Sequence, residues 1–262
     1  MRNIAIVTGA SSGFGREFVL QLAQKYPGLH QIWAIARRRD RLEQLAKTVK
    51  CKTGVTVVPI VMDLLDLSGM GELEIMLRQE KVTVRMLVNC AGFGKIGMVQ
   101  DQNIQDLINM VHLNCESLTA ITKTVLPFMG SKSRMIQVAS TAAYLPQPGF
   151  SVYAATKSYV YSFSKSLNEE LRSRKITVTA VCPGPANTEF FQVAASEKKE
   201  PFYKKLFLAD PKKVVKKAIK DCSKGRNEST YGIAMKLIKI ISKLVPHNLV
   251  IRVIGWMQEV TS

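Results

Sequence analysis

The sequence predicts an α/β fold: one domain, residues 1–262, with a doubly wound, mostly parallel sheet of about seven strands flanked by helices, and a helical C-terminal extension over 233–262. Two patterns predict it. Short runs rich in Val, Ile and Ala alternate with longer segments of helical period. The first run, residues 3–8, delivers Thr8 into a glycine turn that opens directly into a helix.

The elements follow in order. The turn reads Thr8-Gly9-Ala10-Ser11-Ser12-Gly13-Phe14-Gly15, and Phe18, Leu22 and Ala23 then recur at helical spacing over residues 13–25. Glycines permit a tight turn and close backbone approach, and the helix start offers free N–H groups to a pyrophosphate. Residues 31–36 make the second strand. Where an NAD-binding chain places an acid for the ribose hydroxyls, this one has Arg37-Arg38-Arg39 after Ala36. Guanidinium groups there suit a 2′-phosphate, with Arg16 placed to help. The plainer reading is a basic start to a helix over 41–50, with Asp40 as its N-cap. Residues 55–61 are the third strand, followed by Asp63 and Leu64; 68–79 is a helix. The fourth strand, 85–89, ends in Asn89-Cys90-Ala91-Gly92, whose small residues let a ribose lie against the backbone. A glycine-spaced loop over 93–97 should border the site. Residues 104–129 read as one long helix containing Asn114, a residue type that inside helices is usually surface or a local hydrogen-bonder.

The fifth strand, 134–139, ends at Ser140, and a helix over 151–173 carries Tyr153 and Lys157 on one face. An ammonium beside a phenol favours the tyrosinate, so a group that titrates near ~10 can exchange protons at working pH. The Ser140 hydroxyl is placed to hold a substrate oxygen beside that phenol. The sixth strand, 176–182, leads into Pro183-Gly184-Pro185-Ala186-Asn187-Thr188. Asp210-Pro211 starts a helix that Gly225 ends, and a short strand is expected over 229–231.

Taken together, the glycine turn, Asn89-Cys90-Ala91-Gly92, Asn114, Ser140, Tyr153 with Lys157, and Pro183-Gly184 resemble the short-chain dehydrogenase/reductase family over about residues 1–232. The family usually has Ile where Phe14 stands. The resemblance implies a Rossmann-type sheet and reversible hydride transfer between NADP(H) and a carbonyl/alcohol pair. It implies Tyr153 as proton donor in reduction and Ser140 as partner of the developing oxyanion. Lys157 would grip the nicotinamide ribose, and the Asn114 carbonyl would hold a relay water on that lysine. Asp63, beside Leu64, would meet the adenine, and Asn89 would tie neighbouring strands next to Ala91 and Gly92. The Ala186 backbone and Thr188 hydroxyl would hold the carboxamide in the Pro183-Gly184 turn. A homodimer or homotetramer is implied through the helices of Asn114 and Tyr153, although the stripe Val160, Phe163, Leu167 and Leu171 would serve equally as core.

Two stretches lie outside that pattern. Residues 189–210 place Phe190, Phe191, Phe202, Tyr203, Leu206 and Phe207 among Lys and Glu, which reads as a substrate lid or as rings packing that segment to the body. From residue 235 on, Leu237, Ile238, Ile241, Leu244 and Val245 oppose Lys236, Lys239 and Lys243, with Pro246 as a break. Three roles stay open there: a cap on the pocket, a dimer surface, or an amphipathic membrane contact.

The net charge is +17, and residues 197–243 carry 14 Lys and Arg against 5 Asp and Glu. That suits a solvated helix face, an anionic cofactor or an anionic membrane surface. Without aromatic-basic interleaving or a reader motif, nucleic acid is not expected. Five scattered cysteines, no Cys-x-x-Cys and three histidines argue for reduced thiols, no metal and a cytoplasmic protein, peripheral at a membrane if the basic C-terminal region makes that contact. No signal-peptide core or spanning segment is evident. The aromatic lid favours a lipophilic ketone of hydroxysteroid type. A 3-oxoacyl thioester and a short-chain aldehyde are the alternatives, and a non-enzymatic NADP-binding sensor or membrane scaffold is the rival class.

Overall fold

The computed structural model describes residues 2–186, 188–190 and 208–252. Its strands are β1 (Arg2–Thr8), β2 (Gln31–Ala36), β3 (Thr56–Val61), β4 (Val82–Asn89), β5 (Arg134–Val138), β6 (Thr177–Val181) and β7 (Glu228–Ser229). They form one parallel sheet in the order β3-β2-β1-β4-β5-β6-β7. Side chains alternate across β1, so each face builds its own core. Ala5 and Val7 meet Phe18 and Leu22 of α1 (Gly13–Lys25), Leu42 and Leu45 of α2 (Arg39–Thr53), and Val215 and Ile219 of α7 (Pro211–Ser223). Ile4 and Ile6 meet Leu73 and Leu77 of α3 (Gly69–Gln79), Ile121 and Val125 of α5 (Ser117–Val125), and Leu167 of α6 (Ser151–Glu170). The chain builds β2 and β3 on one side of β1, then crosses to β4 on the other. The loops after β1 and β4 therefore diverge and leave a crevice at the carboxyl edge.

The expected doubly wound sheet is present, with several boundaries moved. β4 begins at Val82 because Val82 and Val84 are buried and pair with Arg2 and Ile4. The intervening charge of Arg85 turns outward to the Ser131 carbonyl. Asp40 is not an N-cap: α2 starts at Arg39, Arg38 occupies the cap, and Asp40 sits in the first turn. The single helix expected over 104–129 is broken. α4 (Ile104–Val111) passes through a π turn, His112–Glu116, before α5, and the Ser117 N–H donates to the His112 carbonyl. α6 stops at Glu170, and its stripe of Val160, Leu167 and Leu171 is core. β7 lies slightly earlier than expected because the Cys182 N–H donates to the Ser229 carbonyl. Asp210 does cap α7, accepting the Lys212 N–H at 2.8 Å.

α8 (Ile233–Leu244) begins the C-terminal extension, and after Pro246 residues 247–252 are again helical. Among the described residues no helix is long and apolar enough to cross a membrane, and no group of His, Cys, Asp and Glu could hold a metal. Asn187, the lid residues Phe191, Phe202, Tyr203, Leu206 and Phe207, and residues 253–262 lie outside the described part.

Candidate active site

The crevice opens into a cavity of about 770 Å³. Its floor at one end is the glycine turn. Gly9 has φ +66, and a Cβ there would lie 2.9 Å from the Ala91 Cα, so the turn can press onto the end of β4 only as glycine. Thr8 Oγ1 fixes that contact by accepting the N–H groups of Cys90 and Ala91 at 3.0 and 3.1 Å. Ser12 starts α1 without a side-chain cap, which leaves first-turn N–H groups of the helix for an anion. Next to them, Arg37 lies 3.8 Å from Asp63, and Arg38 donates to Ser11 Oγ at 3.0 and 3.2 Å. Uncapped helix N–H groups, a glycine cradle and two guanidinium groups fit a phosphorylated dinucleotide.

The other end of the cavity carries the acid–base residues. The Tyr153 ring is buried, stacked on Phe150 at 4.3 Å between centroids and tilted against Phe190 at 5.3 Å. Burial pushes its phenol well above the usual range, opposed by a hydrogen bond with Ser140. Ser140 Oγ accepts the Ala142 N–H at 3.1 Å, which leaves the hydroxyl proton to be donated. Lys157, 4% exposed, donates to the Val138 carbonyl at 2.9 Å, and its Nζ lies 5.7 Å from the Tyr153 ring centre. Burial lowers this ammonium to about 8. Cys90, Cys115 and Cys182 surround it, yet burial holds these thiols at about 12, 11 and 12, so they are uncharged where the lysine titrates. The expected lowering of the Tyr153 phenol by Lys157 is not what the structure has. The lysine is held by a backbone carbonyl, and desolvation dominates the phenol.

Of the residues singled out from sequence, Gly9, Ser11, Ser12, Gly13, Phe14, Gly15, Arg37, Arg38, Asp63, Leu64, Ala91, Gly92, Ser140, Tyr153, Lys157, Pro183, Gly184, Ala186 and Thr188 all line this one cavity. Two do not. Asn89 is buried and donates to Thr122 Oγ1 at 3.0 Å, so it ties β4 to α5 instead of touching the cavity. Asn114 is fully buried in the π turn. Its amide donates to the Phe93 carbonyl and Thr156 Oγ1 at 2.9 and 3.0 Å, and its oxygen accepts the Phe93 N–H at 3.1 Å. Its side chain thus clamps the loop before Gly94 to the helix of Tyr153.

Among the other lining residues Phe150 had no local signature, whereas Lys95 falls in the loop expected to border the site. Phe150 precedes α6 and stacks on Tyr153. Lys95 pairs loosely with Asp106 at 3.8 Å at the same end of the cavity. Met235 and Ile238 bring α8 into the wall, which favours the capping role among the three left open for the extension.

Comparison with known proteins agrees with this geometry. The family model described as short chain dehydrogenase matches residues 3–199. The NADP-dependent 3-hydroxy acid dehydrogenase of Schizosaccharomyces pombe is 34% identical over 188 residues, covering 71% of this chain and 72% of that one. A short-chain dehydrogenase from Sphingobium yanoikuyae, solved in complex with NADPH, superposes with a TM-score of 0.78 at 25% identity over 92% of both chains. The bulky-bulky ketone specific alcohol dehydrogenase from Comamonas testosteroni gives 0.74 at 25% identity, over 92% of this chain and 90% of that one. With its sheet order, its Ser140, Tyr153 and Lys157 in one cavity and this match over most of its length, the chain belongs to the short-chain dehydrogenase family.

Proposed function

We propose that this protein is an NADP(H)-dependent oxidoreductase that interconverts a ketone and a secondary alcohol on a bulky lipophilic substrate. The observation that carries the reading is the Tyr153 phenol, bonded to Ser140 and walled by Phe150 and Phe190 in a cavity that also holds the glycine cradle. When bound, the dinucleotide supplies a hydride from nicotinamide C4. The chain does the rest. The protonated Tyr153 gives its proton to the substrate oxygen, a step of the kind worth roughly 10²–10⁴ in rate. Ser140 Oγ–H donates to the same oxygen as charge develops on it. Lys157, charged below about 8, restores the proton, and the relay through Asn114 connects it to solvent. Arg37 and Arg38 take the 2′-phosphate, Asp63 and Leu64 border the adenine, and Ala186 and Thr188 hold the carboxamide.

The apolar wall of Phe93, Ile96, Phe150, Phe190, Met235 and Ile238 supports a hydroxysteroid-like ring system. Lys95 supports a second reading, an oxo acid whose carboxylate meets that cation, and the S. pombe relative is named for a 3-hydroxy acid. The exposed apolar residues Ile104, Ile108 and Val111 of α4 and Tyr159 of α6 support a homo-oligomer. A panel of oxo steroids, 3-oxo acids and acetoacetyl thioesters with NADPH tests the assignment. Turnover on one steroid position fits the first reading and turnover on 3-oxo acids the second. Activity with thioesters alone would refute both.

A further inference from the structure

Glu189 has no part in the chemistry above, yet it sits on Arg38, one of the residues read as phosphate ligands. Its Oε2 accepts from Arg38 at 3.0 Å and its Oε1 from Arg41 at 2.5 Å. Arg38 also donates from Nε and Nη2 to Ser11 Oγ in the glycine turn. One carboxylate therefore bridges the start of α2 and the segment that follows Thr188. Burial raises the Glu189 carboxyl, but the two guanidinium groups outweigh it and hold the carboxyl below its usual range. The residue after it, Phe190, lies against the Tyr153 ring. Two consecutive residues thus reach the dinucleotide-phosphate end of the cavity and the catalytic phenol.

We propose that Glu189 sets cofactor selectivity: in the free enzyme its carboxylate, braced by Arg41, holds the Arg38 guanidinium that the 2′-phosphate of NADP(H) takes over on binding, and Phe190 transmits that exchange to Tyr153. The N–H that Arg38 gives to the carboxylate cannot also go to a phosphate, and a phosphate on that guanidinium would meet the like charge of Glu189, so binding exchanges one anion for the other. A cofactor without the 2′-phosphate leaves the bridge in place. The inference rests on the reading of Arg38 as a 2′-phosphate ligand.

The test is equilibrium binding of NADPH and NADH, followed by fluorescence, to the wild type, Glu189→Gln and Arg38→Met. Gln keeps the size of the side chain and removes its charge. Glu189→Gln should tighten NADPH about three- to tenfold, the scale of two half-exposed ion pairs, and leave NADH unchanged. Arg38→Met should weaken NADPH and spare NADH. If Arg38→Met behaves so while Glu189→Gln leaves NADPH unchanged or weaker, the exchange is wrong and the phosphate reading stands. If Arg38→Met weakens both cofactors equally, the phosphate reading itself falls. A Phe190→Trp variant reads the second half. Adenosine 2′-monophosphate, which carries the phosphate but no nicotinamide, should shift its emission, and adenosine should not. No shift at saturating 2′-phosphate would overturn the link to Tyr153.

Discussion

Replacing Glu228 by Gln tests how α8 is held over the cavity. The carboxylate is only 11% exposed and collects donors from three elements. Oε1 accepts from Lys239 of α8 at 2.5 Å and from the Tyr144 hydroxyl at 3.0 Å; Oε2 accepts from the Tyr161 hydroxyl of α6 at 2.9 Å. Burial opposes ionisation, but the bonds from Lys239, Tyr161 and Tyr144 win and bring the carboxyl down to about 2, from 4.5 unperturbed. That gap is worth about 3 kcal/mol of folding stability. Because the folded-state value is depressed, the stabilisation is present above the unfolded value and drains away as pH falls toward 2. Glu228→Gln should therefore lower the urea-unfolding free energy by about 3 kcal/mol at neutral pH and by about 2 kcal/mol near pH 3.5. Met235 and Ile238 ride on the helix that Lys239 anchors, so KM for a bulky ketone should rise with kcat little changed. A stability loss below about 0.5 kcal/mol at neutral pH, or one that is the same at both pH values, would refute the argument.

Other perturbations address the chemistry. Tyr153→Phe should cut turnover by about 10³-fold or more while NADPH still binds, read by steady-state rates beside a fluorescence titration; near-normal turnover would remove the phenol from the mechanism. Ketone reduction should be flat at low pH and fall above about 8 as Lys157 loses its charge, and a rate profile level through that range would contradict the lysine's part in returning the proton. Asn114→Ala strands the Phe93 N–H and carbonyl and takes one donor from Thr156 Oγ1, which keeps its own bond to the Tyr153 carbonyl; calorimetry should show a loss of about 2–4 kcal/mol, and kcat should drop because the loop beside Tyr153 loosens.

What was legible in the sequence obeyed local rules. The strand runs, the glycine turn into α1, the Asp210 cap and the placing of Tyr153 and Lys157 on one helix depend on neighbours within a few residues, and all are present, the strands with ends shifted by up to three residues. Asp40 failed as a cap because cap chemistry does not decide a helix start by itself: the helical backbone already begins at Arg39. The π turn at Asn114 has no periodic signature, since one added residue is absorbed without breaking the apolar pattern of Leu107, Met110, Leu118 and Ile121. Asn89 was grouped with the cofactor residues because of its neighbours in sequence, yet as the last residue of β4 it lies against α5, where its amide donates to Thr122. Glu189, Phe150 and Met235 come from separate segments, and only the crossover topology brings them to one cavity.

Burial acts on Tyr153 and Lys157 in opposite directions on the pH scale and in the same direction in charge. Each is driven toward its neutral form: the phenol keeps its proton to higher pH and the ammonium gives its proton up nearer neutrality. At neutral pH the phenol is therefore a loaded donor, while Lys157 is still mostly charged and holds the more mobile proton of the pair. That arrangement suits reduction, in which Tyr153 gives a proton away and must be reloaded. Oxidation asks the phenol to begin as the tyrosinate, which desolvation between Phe150 and Phe190 resists and only the Ser140 bond assists. In the free enzyme the aromatic packing that shapes the substrate end therefore also keeps the Tyr153 phenol protonated.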